Sequence, residues 1–316
     1  MTVIIPKKAY LAIVASSVRF ANQTIPFDDW LEIYGIFLGK NKGNDVLISE
    51  AYLITHQKKR PEDVIDTVYW SNEDYESFAI IDDDAFSRGE FTVGWFHSHP
   101  GMKLMMSHLD IQTTLSYQQF NPLAISLVFN PTRLLKQFEP ADRRGDPEIR
   151  LENDPGFLIF RLDDVNMGAN STYHEVDYKI EGYDDMHHVV KHAQDYAKEV
   201  ALLFPRDDIF NAYNRFIDEK LAELNSMISG TEEYLTTLSF KGEAKRIPEV
   251  LKNQTMEINK YVAETFLQIG NVREFLDFLE YKEMVKYVPQ VKDILMRFDE
   301  EIVIVQDKIK ELSNKF

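Results

Sequence analysis

The sequence predicts an α/β domain followed by an all-helical region. Up to about residue 180 it alternates short β-branched and aromatic runs with Gly, Pro, Asn and Asp punctuation, the signature of strands and turns. Beyond Tyr183 apolar residues recur every three or four positions, as one face of a helix requires. The shift divides the chain into residues 1–180 and 181–316, consistent with roughly 150 residues per domain.

In chain order, Lys8 to Ala21 reads as a helix, with Leu11, Val14 and Val18 on one face. Strands are expected at Ile33 to Leu38, Val46 to Leu53, Thr67 to Tyr69, Val93 to His97, Ala124 to Phe129 and Phe157 to Leu162. Two polar stretches interrupt them. Gln57 to Glu90 has room for a further strand and helix, and Pro131 to Pro155 is rich in Pro, Asp, Arg and Gly. Long loops of this kind are uncommon in compact domains and often functional. Val189, Ala193, Tyr196 and Val200 open the helical region, Ile209 to Ile228 continue it, and Ile294, Phe298, Ile302, Val305, Ile309 and Leu312 form a final stripe suited to helix-on-helix packing.

Composition narrows the function classes. With 35 basic and 52 acidic residues the net charge is −17, which opposes a phosphate-tracking surface and argues against nucleic acid as a partner. The absence of Cys removes disulfides, thiolate metal sites and cysteine nucleophiles, fits a reducing cytoplasm, and leaves any metal to His, Asp or Glu. No apolar run approaches the ~20 residues that span a bilayer, so no membrane association is expected. The Lys7-Lys8 pair before Ala9 to Ala15 has the outline of a secretory leader, but its length and spacing suit a first helix better.

The chemistry is concentrated in Gly94-Trp95-Phe96-His97-Ser98-His99-Pro100 and the following residues to Asp110. On an extended segment His97 and His99 project from one face, because side chains alternate. Pro100 ends the strand, having no N–H for the ladder. If Ser107 opens a helix, Asp110 sits one turn on and presents a carboxylate to the same place. Two His and one Asp leave a fourth tetrahedral position open, as a catalytic rather than structural zinc requires. Zinc so held would favour hydrolysis of an amide. A mononuclear iron site also uses two His and a carboxylate, but not with this short spacing and helical Ser and Asp.

These residues resemble the JAMM metalloproteases, the catalytic members of the MPN-domain proteins. The likeness extends through most of the first 180 residues. It includes Glu32-Ile33-Tyr34-Gly35-Ile36-Phe37-Leu38-Gly39, similar to the family's first strand with its glutamate, and Val93-Gly94-Trp95-Phe96 leading into the motif. Val128-Phe129-Asn130-Pro131 resembles the next strand, with Asn130 where the family often has Asp. The resemblance implies a mixed, mostly antiparallel sheet flanked by helices, with a C-terminal all-helical extension. It implies that one catalytic zinc ion (Zn2+) is bound by His97, His99 and Asp110. Glu32 would take a proton from water and deliver it to the leaving amine, while Ser107 would hydrogen-bond the developing oxyanion. Without that likeness Glu32 is a lone carboxylate at a strand start, and Ser107 a helix N-cap.

Within the family the layout most resembles the proteasome-lid deubiquitinase subunit and its archaeal relatives. That implies a cytoplasmic isopeptidase acting on conjugates of ubiquitin or a ubiquitin-like modifier, with the helices docking another MPN protein or a proteasome-like regulatory complex. A catalytically silent MPN scaffold is the alternative, but such members usually lose motif residues that are all present here. Hydrolysis of a small-molecule or sulfur-carrier conjugate is a third reading. Other features carry less: His187, His188 and His192 read as a half-buried helix face, His108 as a surface residue, Met102, Met105 and Met106 as core packing, and Asp82 to Asp84 as a solvated loop.

Overall fold

In the computed structural model, which describes residues 1–58, 68, 70–135, 153–203 and 209–316, one mixed sheet is built from β1 (Thr2–Ile5), β2 (Ile33–Lys42), β3 (Asp45–His56), β4 (Phe91–Ser98), β5 (Ile125–Phe129), β6 (Phe157–Leu162), β7 (Tyr173–Glu175) and β8 (Asp177–Ile180). Its order is β7-β6-β5-β4-β2-β3-β1-β8. The pairs β2/β3, β2/β4, β5/β6 and β6/β7 are antiparallel, whereas β1/β3, β1/β8 and β4/β5 are parallel. β2 and β3 form a hairpin closed by Gly43 and Asn44, with Gly43 at φ 62°, the left-handed conformation that two-residue hairpin loops need.

The sequence-derived strands correspond to β2 through β6, except the one expected at Thr67 to Tyr69, of which Thr67 and Tyr69 lie outside the described residues. β1, β7 and β8 were not anticipated. Each is only three or four residues long, and β1 and β8 recognise one another across the whole domain.

Helices cover the sheet: α1 (Lys7–Phe20), α2 (Asn72–Ser87), α3 (His108–Phe120), the short α4 (Pro131–Leu135) and α5 (Met186–Leu203). α1 is buried continuously from Ala9 to Phe20, which explains why its sequence is apolar on more than one face. Asp82 to Asp84, expected in a loop, instead lie in α2, where Asp82 accepts from Thr92 Oγ1 and Asp84 pairs with Arg88. The Pro131 to Pro155 stretch begins as α4, and its residues 136–152 are outside the described set. No helix is long and apolar enough to cross a membrane among the described residues.

The chain separates into two compact units. The first comprises Met1–Leu202 together with Asp277–Met284, and the second Leu203–Leu276 and Val285–Phe316. Residues 277–284 therefore complete the sheet domain from far along the sequence. Arg19 Nη1 and Nη2 grip the Glu283 carboxylate at 2.6 and 2.8 Å, and Lys282 Nζ lies 2.6 Å from buried Asp74 and 3.0 Å from buried Glu280. Burial alone would raise the Glu280 carboxyl, but His56 and Lys282 hold it below its ordinary value.

In the second unit, α6 (Ile209–Phe240) and α7 (Ile247–Leu276) pack through Leu235, Leu238 and Ile247. α8 (Tyr281–Lys315) contacts α6 through Arg297 with Asn214, Lys308 with Asn225 and Lys315 with Glu232. Each pair is separated by 83 positions. A constant difference rather than a constant sum means that the two helices run parallel, since both advance 1.5 Å per residue.

β2 lies close against its neighbours at Gly35. A Cβ there would come within 2.1 Å of the Phe96 ring and 2.5 Å of the Tyr52 carbonyl oxygen. Gly35→Ala is expected to destabilise the sheet unit by about 1–3 kcal/mol, read from urea unfolding; wild-type stability would overturn this packing argument.

Candidate metal centre

The central position of β4 brings the motif together. β4 lies between β2 and β5, and its ladder is prolonged by the His99 N–H, which donates to the Phe129 carbonyl at 2.8 Å. His97 and His99 are thereby held two residues apart on one face. After Pro100 and Gly101 the chain turns, and Leu104 and Met106 bury themselves with Val128, Phe160 and Leu162. This anchorage delivers Ser107 to the start of α3.

Ser107 is the N-cap of α3 in a reciprocal capping box. Its hydroxyl accepts from the Asp110 N–H at 3.2 Å, while its own N–H donates to Asp110 Oδ2 at 2.6 Å. The cap thus orients the carboxylate and leaves Oδ1 directed at His97. His97 Nε2 lies 3.4 Å from Asp110 Oδ1, His99 Nε2 3.6 Å from Oδ2, and the two Nε2 atoms 3.1 Å from each other. The three residues are buried and form the metal-capable cluster among the described residues.

Hydrogen bonding assigns part of the protonation. His99 Nδ1 is 3.0 Å from the Lys103 carbonyl oxygen, which can only accept, so Nδ1 carries the proton and a neutral ring keeps its Nε2 lone pair for the cluster. His97 Nδ1 is buried and finds no partner among the described residues. That ring is held instead by stacking on Trp95, at 4.5 Å and 12°, which in turn stacks on Tyr34.

Burial pushes the His97 pKa below its ordinary value despite Asp110. Burial acts the same way on His99, but Asp110, the Lys103 carbonyl and Glu32 outweigh it and raise that ring. Asp110, which burial would raise, is carried far below the carboxylate range by His97, His99 and the Ser107 side chain.

This donor set fits a zinc ion. Bonds of 2.0–2.1 Å in tetrahedral geometry place ligand atoms about 3.3 Å apart; the two Nε2 atoms are 3.1 Å apart, Asp110 Oδ1 is 3.4 Å from that of His97, and one ligand atom from each of the three residues lies within 4.8 Å of the others. The carbonyl behind His99 is the usual orienting partner of a metal-bound imidazole.

Glu32 and Ser107 line the same large cavity, about 1970 Å³, as the three buried residues. Glu32 is half-buried just before β2, and Ser107 is exposed. Its walls include Trp30, Tyr34, Trp70, Phe78, Tyr117 and Phe120. Met106 is buried as expected, but Met102 and Met105 are 45% and 46% exposed and face the cavity, because the turn after Pro100 carries them away from the core. His108 is exposed and bonded to Gln112, and His192 is bonded to the Tyr183 hydroxyl.

Sequence reasoning passed over Gln57, whose Oε1 accepts from the Glu32 N–H at 3.3 Å, and the part played by Ser98, whose Oγ accepts from the Ile33 N–H at 3.1 Å. No spacing rule could have found either, because both pairings come from neighbouring strands.

A mixed sheet whose central strand β4 carries His-x-His beside a capped helix that supplies Ser and Asp is the arrangement expected of an MPN domain. Residues 1–123 match the family model described as JAB1/Mov34/MPN/PAD-1 ubiquitin protease. Similar curated proteins include COP9 signalosome complex subunit 5a of Arabidopsis thaliana, 29% identical over 33% of this chain and 28% of its own length. The 26S proteasome regulatory subunit rpn11 of Schizosaccharomyces pombe is 26% identical over 53% of this chain and 55% of its own. STAM-binding protein of Rattus norvegicus is 32% identical over 40% and 28%. The chain thus matches between about a quarter and just over half of these relatives' lengths.

A zinc titration is expected to saturate at one ion per chain, with His99→Ala weakening binding by at least roughly 100-fold. Affinity should also fall on acidification from near neutrality, because the raised His99 ring must lose its proton before it can ligate. Zinc uptake that ignores both changes would exclude this site.

Proposed function

We propose that the chain is a zinc-dependent isopeptidase that removes ubiquitin or a ubiquitin-like modifier from protein conjugates. The observation that carries this reading is the convergence of His97, His99 and Asp110 on one point, beside a cavity that Glu32 and Ser107 also line. His97, His99 and Asp110 would hold the ion. Bound zinc supplies Lewis acidity, which brings the pKa of water toward ~7 and polarises a carbonyl.

The remaining work belongs to the chain. The Glu32 carboxylate accepts a proton from the attacking water and passes it to the departing lysine amine, so that the amide bond breaks with its leaving group neutral. The Ser107 hydroxyl oxygen already accepts from the Asp110 amide, and its O–H hydrogen donates to the carbonyl oxygen as negative charge builds. The aromatic walls of the cavity exclude water and hold an extended segment on either side of the scissile bond. The helical unit serves assembly with another MPN protein or within a larger regulatory complex. Exposed Leu267, Met256, Met296 and Val303 on α7 and α8 support that role, as do relatives named as COP9 signalosome and 26S proteasome subunits.

The test is cleavage of an isopeptide-linked ubiquitin dimer by zinc-loaded protein beside Glu32→Gln. The substitution should reduce kcat by about 100-fold or more while leaving zinc bound, and a chelator should abolish turnover. Zinc binding with no cleavage of this or a ubiquitin-like conjugate would favour the silent scaffold, and cleavage indifferent to Glu32 would remove it as the base.

A further inference from the structure

Glu32 sits outside the regular ladder, yet its backbone is held on both sides. The Gln57 N–H donates to the Glu32 carbonyl at 2.7 Å, and the Glu32 N–H donates back to the Gln57 side-chain oxygen at 3.3 Å. The next amide, Ile33, donates to Ser98 Oγ on β4. Gln57 is itself buried and lines the cavity.

The residue before Gln57 is His56, the last of β3. Its ring stacks on Phe20 at 4.4 Å and 22°, and its Nδ1 pairs with the carboxylate of Glu280. Glu280 is 1% exposed and belongs to the 277–284 segment, which Arg19 and Asp74 fix through Glu283 and Lys282. A continuous path of hydrogen bonds and one peptide unit therefore runs from residue 280 to the backbone of residue 32.

A general base must lie within hydrogen-bond reach of the proton it takes, and displacement by about 1 Å lowers rates by as much as ~100-fold. Burying Glu280 is unfavourable unless its partners are kept, so the pair resists displacement. We propose that Gln57 is a positioning residue for Glu32, and that the Glu280–His56 pair sets Gln57, so that the 277–284 segment governs how accurately the carboxylate is aimed. This inference rests on the reading of Glu32 as the base. It makes the sheet unit's far-sequence segment a part of the catalytic apparatus although it touches no substrate.

The experiment uses the full zinc-loaded chain with Gln57→Met, which keeps side-chain length but lacks the accepting oxygen, with Glu280→Leu, and with Glu280→Gln, which keeps an oxygen for His56. Two readouts are taken: kinetics on the isopeptide-linked ubiquitin dimer, and hydrogen exchange of the Glu32 and Gln57 amides. Gln57→Met should speed exchange at Glu32 about tenfold and lower kcat by a similar factor, with KM and zinc content unchanged. Glu280→Leu should speed exchange at both amides and lower kcat likewise, and Glu280→Gln should recover most of the loss. Wild-type exchange at both amides in Gln57→Met and Glu280→Leu would overturn the proposal, as would a loss confined to KM or zinc. Should the wild type leave the dimer intact, the functional reading falls, while exchange still decides whether residue 280 controls the backbone at residue 32. Gln57→Met carries the test if Glu280→Leu does not fold.

Discussion

The capping box at the start of α3 is the interaction on which the site depends. Helix N-termini leave amides without partners, and the Ser107 and Asp110 pair satisfies two of them reciprocally. In doing so it fixes the carboxylate rotamer, and the partial positive charge of the helix end favours the ionised form. The same local geometry that starts a helix therefore faces an anion toward two imidazoles. Leu104 and Met106 contribute by burial, since they determine where the helix begins relative to β4.

Much of this was legible in the sequence, for identifiable reasons. The alternation that puts His97 and His99 on one face is a property of any strand, and Ser107 with Asp110 follows the N-cap spacing of any helix. The central strands were equally plain because they are buried on both faces and read as runs of β-branched and aromatic residues, as in Ile125–Phe129. The MPN fold expected from the resemblance is the fold of the sheet unit, and residues 1–123 bear the family's match.

What could not be read is what depends on distant partners. β1 and β8 are four residues each and acquire their identity only by pairing, β1 with β3 and β8 with β1. Met102 and Met105 looked like core because Met usually fills gaps, but the positive-φ turn at Gly101 carries them toward the cavity. The Lys103 carbonyl that selects the His99 tautomer is a main-chain atom and leaves no trace in residue identity. Charge spacing likewise gave no hint that Glu280 and Lys282, in a region that reads as helix after helix, belong beside Asp74 and His56.

That discontinuity has a consequence for how the chain acquires its structure during synthesis. The sheet unit emerges from the ribosome almost whole by Leu202, yet its last piece is separated from it by the 74 residues of Leu203–Leu276. Until residue 284 is available, the Asp74–Lys282 and Arg19–Glu283 pairs cannot form, and contacts of such sequence separation form late because loop closure opposes them. The nascent domain must therefore persist without these two ion pairs while the second unit is made. A chain cut after Leu202 would retain His97, His99 and Asp110, but it would lose the Lys282 and Glu283 ends of those two pairs permanently.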